Sequence, residues 1–131
     1  RPGAQGRMTA RTPEERHEAD QRGRQGEAEA AMFLAQRGWR ILAERVKTKA
    51  GEIDLVAKRT GLVAFVEVKW RARAAALADA IDERRLTRVA KAAEIVAHEY
   101  ATEGEDIRID VILLAPGRKP THIENAWMPF G

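Results

Sequence analysis

Residues 51–70 read GEIDLVAKRTGLVAFVEVKW. Two runs rich in β-branched and apolar residues flank Thr60-Gly61, a turn pair suited to a tight hairpin. A two-residue loop there sets Leu55 opposite Val66, Asp54 opposite Glu67 and Glu52 opposite Lys69. Side chains alternate between the two faces of a strand. One face then carries Ile53, Leu55 and Ala57 against Leu62, Ala64, Val66 and Val68, all apolar. The other carries Val56 against Phe65, then the carboxylate pair, then Glu52 with Lys69. Directly opposed side chains stand ~4.5–5.5 Å apart at Cβ, and like charges there are destabilising. Two facing carboxylates therefore keep a proton or hold a cation between them. Hard divalent ions take oxygen ligands of this kind. The bland alternative is a solvated sheet face on which Lys69 neutralises Glu52 and Glu67, a weak surface interaction. The neighbouring Val56, Val63 and Phe65 argue for a partly covered face, and both readings stay open on these residues alone.

Upstream, Thr12-Pro13-Glu14-Glu15 is a helix-start signal, with a capping threonine, proline at the first position and an acid three residues after the cap. Gly23 and Gly26 interrupt this helix, so Gly26–Arg37 is its firm part, and Gly38 ends it. On a helical wheel Glu27 falls within about 20° of Leu34, on the buried stripe, whereas Glu29 lies about 140° away. A carboxylate on a buried stripe is costly without a partner. The alternative is an acid near a helix start, where acids are favoured in any case. Trp39–Val46 reads as the strand before the hairpin, whose arms are Gly51–Lys58 and Leu62–Lys69. Asp79 is positioned to cap a long helix running to Tyr100, with the stripe Leu86, Val89, Ala93, Val96 and Tyr100. Ile107–Leu114 is a fourth strand, Pro116-Gly117 a turn, and His122–Met128 a short edge strand. The expected organisation is a flexible tail over 1–11, within which Met8 reads as a natural start, and a single domain over 12–131.

Composition narrows the function classes. A chain of 131 residues, 44% hydrophobic and 33% charged, suits one folded domain. Its apolar runs are too short for a membrane span or a signal peptide. The chain has no cysteine, which excludes disulfide scaffolds and thiol chemistry. His17, His98 and His122 are scattered at no metal-ligand spacing. A cytoplasmic protein is expected. The net charge of +3 hides an asymmetry: residues 1–36 balance to zero, 37–91 carry +7, and 92–131 carry −4. A basic middle segment suits a polyanionic partner, most often nucleic acid, although an ordinary solvated surface gives the same count.

The string Gly51-Glu52-Ile53-Asp54-Leu55-Val56, followed by Phe65-Val66-Glu67-Val68-Lys69, resembles the split motif of the PD-(D/E)XK nuclease superfamily. With Gly26-Glu27, Gly38, Arg71 and Ile109-Asp110-Val111, the chain over about 23–128 resembles the bacterial YraN-like family, related in fold to Holliday junction resolvases. The resemblance implies an α/β fold with a restriction-endonuclease-like core, in the order α-β-β-β-α-β, whose central mixed sheet is flanked by helices.

It also implies a Mg²⁺- or Mn²⁺-dependent phosphodiesterase site. Asp54 and Glu67 match the carboxylate metal ligands, the Val68 carbonyl a further ligand, and Glu27 the first-helix acid of resolvase-like members. Lys69 matches the lysine that positions the attacking water, and Glu52 is placed beside it as the residue that holds Lys69. The chain departs from the family at Glu44-Arg45, at Trp70 and across Ala72–Ala80, where an aromatic-glycine pair is missing, and Arg84 stands near the lysine that often opens the second helix. Arg71, Arg73, Arg84, Arg88 and Lys91 form a candidate phosphate track. The alternative is a solvated helix of mixed charge, because Glu94 shares its side. Trp70 is the tryptophan placed to stack on a base, whereas Trp39 and Trp127 read as core. The expected function is a metal-dependent endonuclease acting on DNA, including branched or repair intermediates. The competing reading is a non-catalytic nucleic-acid-binding protein of a repair or recombination complex. A homodimer is left open.

Overall fold

A computed structural model describes residues 12–73 and 81–127, with the side chains of 15–23 left aside. The described residues form helix α1 (Pro13–Gln36), strands β1 (Arg40–Thr48), β2 (Gly51–Arg59) and β3 (Leu62–Trp70), helix α2 (Glu83–Tyr100), and strands β4 (Asp106–Leu114) and β5 (Thr121–Ile123). The sheet order is β1-β2-β3-β4-β5. Only β3 and β4 run parallel; the other neighbours are antiparallel. The result is a mixed α/β sheet with one helix on each side. No helix among the described residues is long and apolar enough to cross a membrane.

Two separate cores follow from strand alternation. Leu34, Phe33 and Ala30 of α1 pack with Trp39, Leu55, Ala57, Ala64, Val66, Ile112 and Leu114. Leu86, Val89, Ala93 and Val96 of α2 pack with Ile53, Val56, Val63, Phe65, Ile109 and Val111. The stripe expected on α2 is thus its buried face, and α2 covers Val56, Val63 and Phe65 as their apolar character required.

Chain breaks obey local chemistry. Gly38 takes φ +89° after α1, with Gly38 N–H donating to Ala35 C=O at 3.2 Å and Trp39 N–H to Leu34 C=O at 3.0 Å. Those two bonds and the Leu34–Trp39 contact make a Schellman stop that aims the chain into β1. The helix passes unbroken through Gly26, so the expected interruption there does not occur. Packing is the reason: Gly26 is buried where α1 passes close to Leu114, Val68 and Trp70.

The expected Asp79 cap lies outside the described residues. The cap of α2 is Asp82, whose side chain accepts Arg84 N–H at 2.9 Å. The last strand is shorter than the expected His122–Met128, of which Met128 is outside the described residues. It ends at Ile123 because Asn125 turns at φ +53° and gives its N–H to the Asp110 carboxylate rather than to a ladder.

The hairpin register is the expected one from Leu55↔Val66 to Arg59↔Leu62. It then stops. The expectation that Ile53 and Leu55 share a face fails, because Leu55 packs on the α1 side and Ile53 on the α2 side. Across the sheet Glu44 still pairs with Leu55 and Val46 with Ile53, while Arg45 between them adopts φ +52°. Both strands therefore switch faces at one level, that of Arg45 and Asp54. Left-handed backbone on a bulky residue costs roughly 1–3 kcal/mol and persists only where the surroundings impose it.

Candidate metal centre

Four polar or charged side chains are buried among the described residues, and all four are carboxylates: Glu27, Asp54, Glu67 and Asp110. A buried carboxylate needs charged or hydrogen-bonding partners. Asp110 has them in full. Arg108 donates to both of its oxygens at 2.9 Å, His122 Nε2 lies at 2.7 Å, and Asn125 N–H at 2.9 Å. This network ties β5 to β4 and accounts for Asp110 structurally.

The other three converge around the place where β2 leaves β3. Asp54 Oδ2 accepts the Val68 N–H at 2.8 Å, so a side chain takes the donor that a regular ladder would give to a β2 carbonyl. Glu67 is 2% exposed; its Oε2 accepts from Arg85 Nε at 2.8 Å and pairs with Lys69 Nζ at 3.1 Å. Its Oε1 is buried with no hydrogen-bond partner. Glu27, on α1, pairs through Oε1 with Arg45 Nε at 2.7 Å. Carboxylate oxygens of Glu27, Glu52 and Asp54 lie within 4.8 Å of one another.

The electrostatics follow from that crowding. Burial first, then the charge of Glu67, pushes the Asp54 carboxyl up from 3.8 to about 7, against the lowering effect of the Val68 N–H. The Glu67 carboxylate holds the Arg85 guanidinium above its usual range, chiefly through their hydrogen bond. A buried Glu67 oxygen with no donor, beside a carboxyl whose ionisation burial and Glu67 oppose, is the pattern of a carboxyl pair that shares a proton or takes a cation. The donor set is all oxygen and suits a hard divalent cation.

The sequence-derived residues fall into groups. Glu27, Asp54 and Glu67 come together, as does Val68 through its backbone. Glu52 differs from its expected place: Lys69 pairs with Glu67, and Glu52 joins Glu27 and Asp54. The reason is the strand switch at Asp54, which breaks the register that would set Glu52 opposite Lys69. Trp70 is half-buried, packed against the α1-side core. Arg71 is half-buried, donating Nη1 to Trp70 C=O and its N–H to Leu114 C=O, both at 2.9 Å. Arg73, Arg84, Arg88 and Lys91 are exposed, the last three spaced along one side of α2.

Sequence reasoning missed Arg85 and Arg45 at the centre. For Arg85 the signal was present: on the wheel it lies about 40° from Val89, at the edge of the buried stripe. Arg45 gave none, because its direction depends on the φ +52° turn of β1.

Residues 26–114, from the close helix contact at Gly26 to the end of β4, match the profile of the family described as "Uncharacterised protein family UPF0102". The chain is 67% identical over 111 residues to a UPF0102 protein of Erythrobacter litoralis, covering 85% of this chain and 96% of the relative. It is 54% identical over 111 residues to one of Sphingopyxis alaskensis, with the same two coverages. It is 53% identical over 109 residues to one of Rhizorhabdus wittichii, covering 83% of this chain and 92% of that relative. The matched segment contains Glu27, Glu52, Asp54, Glu67 and Lys69, and the chain belongs to the UPF0102 family.

Proposed function

We propose that this protein is a metal-dependent phosphodiesterase of the PD-(D/E)XK type, a nuclease acting on DNA. The observation that carries the reading is Glu67 Oε1, buried without a partner next to the Asp54 carboxyl and on the same carboxylate as the Lys69 ion pair. Asp54 and Glu67 would hold Mg²⁺ or Mn²⁺, with Glu27 and Glu52 completing the oxygen set. When bound, such an ion lowers the pKa of its water and polarises a phosphate.

The chain's own residues do the rest. Lys69 Nζ, fixed by Glu67, is a cation at the mouth of the carboxylate cluster. It orients a water and stabilises charge developing on the phosphate. Arg45, paired with Glu27 at 2.7 Å, holds that carboxylate beside Glu52 and Asp54. The exposed Arg84, Arg88 and Lys91 give α2 a basic side that can follow a phosphate backbone.

The test is a cleavage screen with Mg²⁺ and Mn²⁺ over single-stranded, duplex, flapped and four-way DNA. The expected result is ion-dependent cleavage of at least one substrate, cut ~10²–10³-fold in Lys69→Ala, as for loss of one transition-state contact. DNA bound by wild type with no cleavage of any substrate would favour the non-catalytic reading.

A further inference from the structure

Four carboxylates, Glu27, Glu52, Asp54 and Glu67, face three cations, Arg45, Lys69 and Arg85. By formal charge, four carboxylates against three cations leave one net negative charge, and one divalent ion would turn that into one net positive charge. The cations are unevenly placed. Glu67 Oε2 takes both Lys69 and Arg85, while Oε1 takes neither. Were Glu67 to hold a metal ion, its carboxylate would no longer need both Lys69 and Arg85.

Of those two, Arg85 is the one free to leave. Lys69 belongs to β3, the strand that carries Glu67, whereas Arg85 reaches across from the first turn of α2. Its side chain is one-third exposed, at 33%. Among the described residues it is held by Nε alone, which leaves both terminal nitrogens for another acceptor. A guanidinium matches a phosphate with two parallel donors, which an ammonium cannot. Arg85 is also flanked by Arg84 and followed by Arg88, so a phosphate that it captured would continue onto the basic side of α2.

Resting on the proposed metal-dependent reading, we propose that Arg85 is a metal-released phosphate clamp. Before loading, it neutralises Glu67. After loading, it turns to a phosphodiester of the nucleic acid. The centre thus repels phosphate until it holds an ion, and nucleic acid binds second. Arg85 is a positioning residue for the substrate, and its effect is on affinity.

The experiment uses the full chain and two readouts besides activity. Mn²⁺ uptake is measured by calorimetry, and affinity for a short fluorescent DNA duplex by anisotropy, in chelator and in Ca²⁺. Wild type should bind the duplex about tenfold more tightly with Ca²⁺, as one charge-assisted bidentate contact supplies. Arg85→Gln should keep Mn²⁺ uptake at or above the wild-type level, because a competitor for Glu67 is gone, and lose most of the Ca²⁺-dependent gain. Arg85→Lys keeps the charge against Glu67 and should melt like wild type, yet recover only part of the gain. Arg85→Gln retaining the full gain overturns the clamp and leaves the metal reading standing. Loss of Mn²⁺ uptake in Arg85→Gln also overturns it, because Arg85 then only shapes Glu67. Absence of Mn²⁺ uptake in wild type instead defeats the metal reading on which the clamp rests.

Discussion

The Asp54 carboxylate accepts the backbone N–H of Val68 at 2.8 Å, at the level where β2 and β3 cease to pair. One hydrogen bond thus ends a ladder, opens a gap in the sheet and fixes a carboxylate inside it. There the Asp54 carboxyl stands beside Glu67 of β3 and groups with Glu27 of α1 and Glu52.

Asp54 should make the metal-free protein less stable as pH rises. Burial, then Glu67, sets its folded pKa at about 7, above the ordinary 3.8. Between these values the folded state keeps a proton that the unfolded state has lost. The stabilisation is therefore full below about pH 4 and gone above about pH 7, at ~1.4 kcal/mol per unit. Asp54→Asn keeps an acceptor for Val68 and removes the charge. In chelator at pH 8 it should melt higher than wild type by the equivalent of ~1–4 kcal/mol, with the difference shrinking toward pH 4. An unchanged or lower melting temperature at pH 8 would show that the carboxylate is comfortable without a cation.

Asp110 has the opposite sign. Burial works to raise its pKa, but His122, Arg108 and the Asn125 N–H together outweigh burial and hold it below the usual carboxylate range. Its contribution is present above the ordinary carboxylate pKa and lost as pH falls through the lowered value. Asp110→Asn takes from Arg108 its buried charge partner, leaving the exposed Glu124 at 3.5 Å, and should cost roughly 3–5 kcal/mol at pH 7, less under acid. Urea midpoints at pH 7 and pH 3 test this. Mn²⁺ uptake should be unchanged, since Asp110 makes none of the contacts at the centre; a parallel loss of uptake would show that the two networks are one.

Gly26 is expected to tolerate alanine and reject anything large. A Cβ there would lie 3.5 Å from Leu114 Cδ1 and 3.9 Å from Val68 Cγ1, ordinary contacts. Gly26→Ala should be neutral or stabilise by up to ~1 kcal/mol through helix propensity. Gly26→Leu forces α1 off the sheet at a cost of ~1–3 kcal/mol, as overpacking does. It also carries the adjacent Glu27 away, so Mn²⁺ affinity should drop in the leucine variant alone. Equal metal affinity in both variants would argue against a part for Glu27.

The exposed side of α2 is tested by salt. Log affinity for duplex DNA should fall with log salt by ~0.9 per phosphate contact, and about three to five contacts give a slope of roughly −2.7 to −4.5. Replacing Arg84 and Arg88 together by glutamate should flatten the slope by up to ~2, without changing sequence preference or Mn²⁺ uptake. A slope that keeps its wild-type value moves the track elsewhere, first to Arg40, Arg45, Lys47 and Lys49 on the first strand and its turn.

The elements of this fold were legible in the chain because they depend on short-range rules. Alternation set the strands, Thr60-Gly61 set the hairpin register as far as Leu55, Gly38 set the exit from α1, and the spacing from Leu86 to Val96 set the buried face of α2. Glu27 was legible for the same reason, since its place on the wheel depends only on Leu34. Tertiary structure alone decided how the charges pair. Lys69 turned to Glu67 instead of Glu52 because the hairpin opens at Asp54, a departure that no pairing rule contains. Arg45 reached Glu27 because its backbone turned left-handed, against the preference of its residue type. Arg85 met Glu67 because α2 packs across β3. The last two are contacts between different elements, and all three are driven by carboxylates that the fold buries together and that take whatever cation the packing brings within reach.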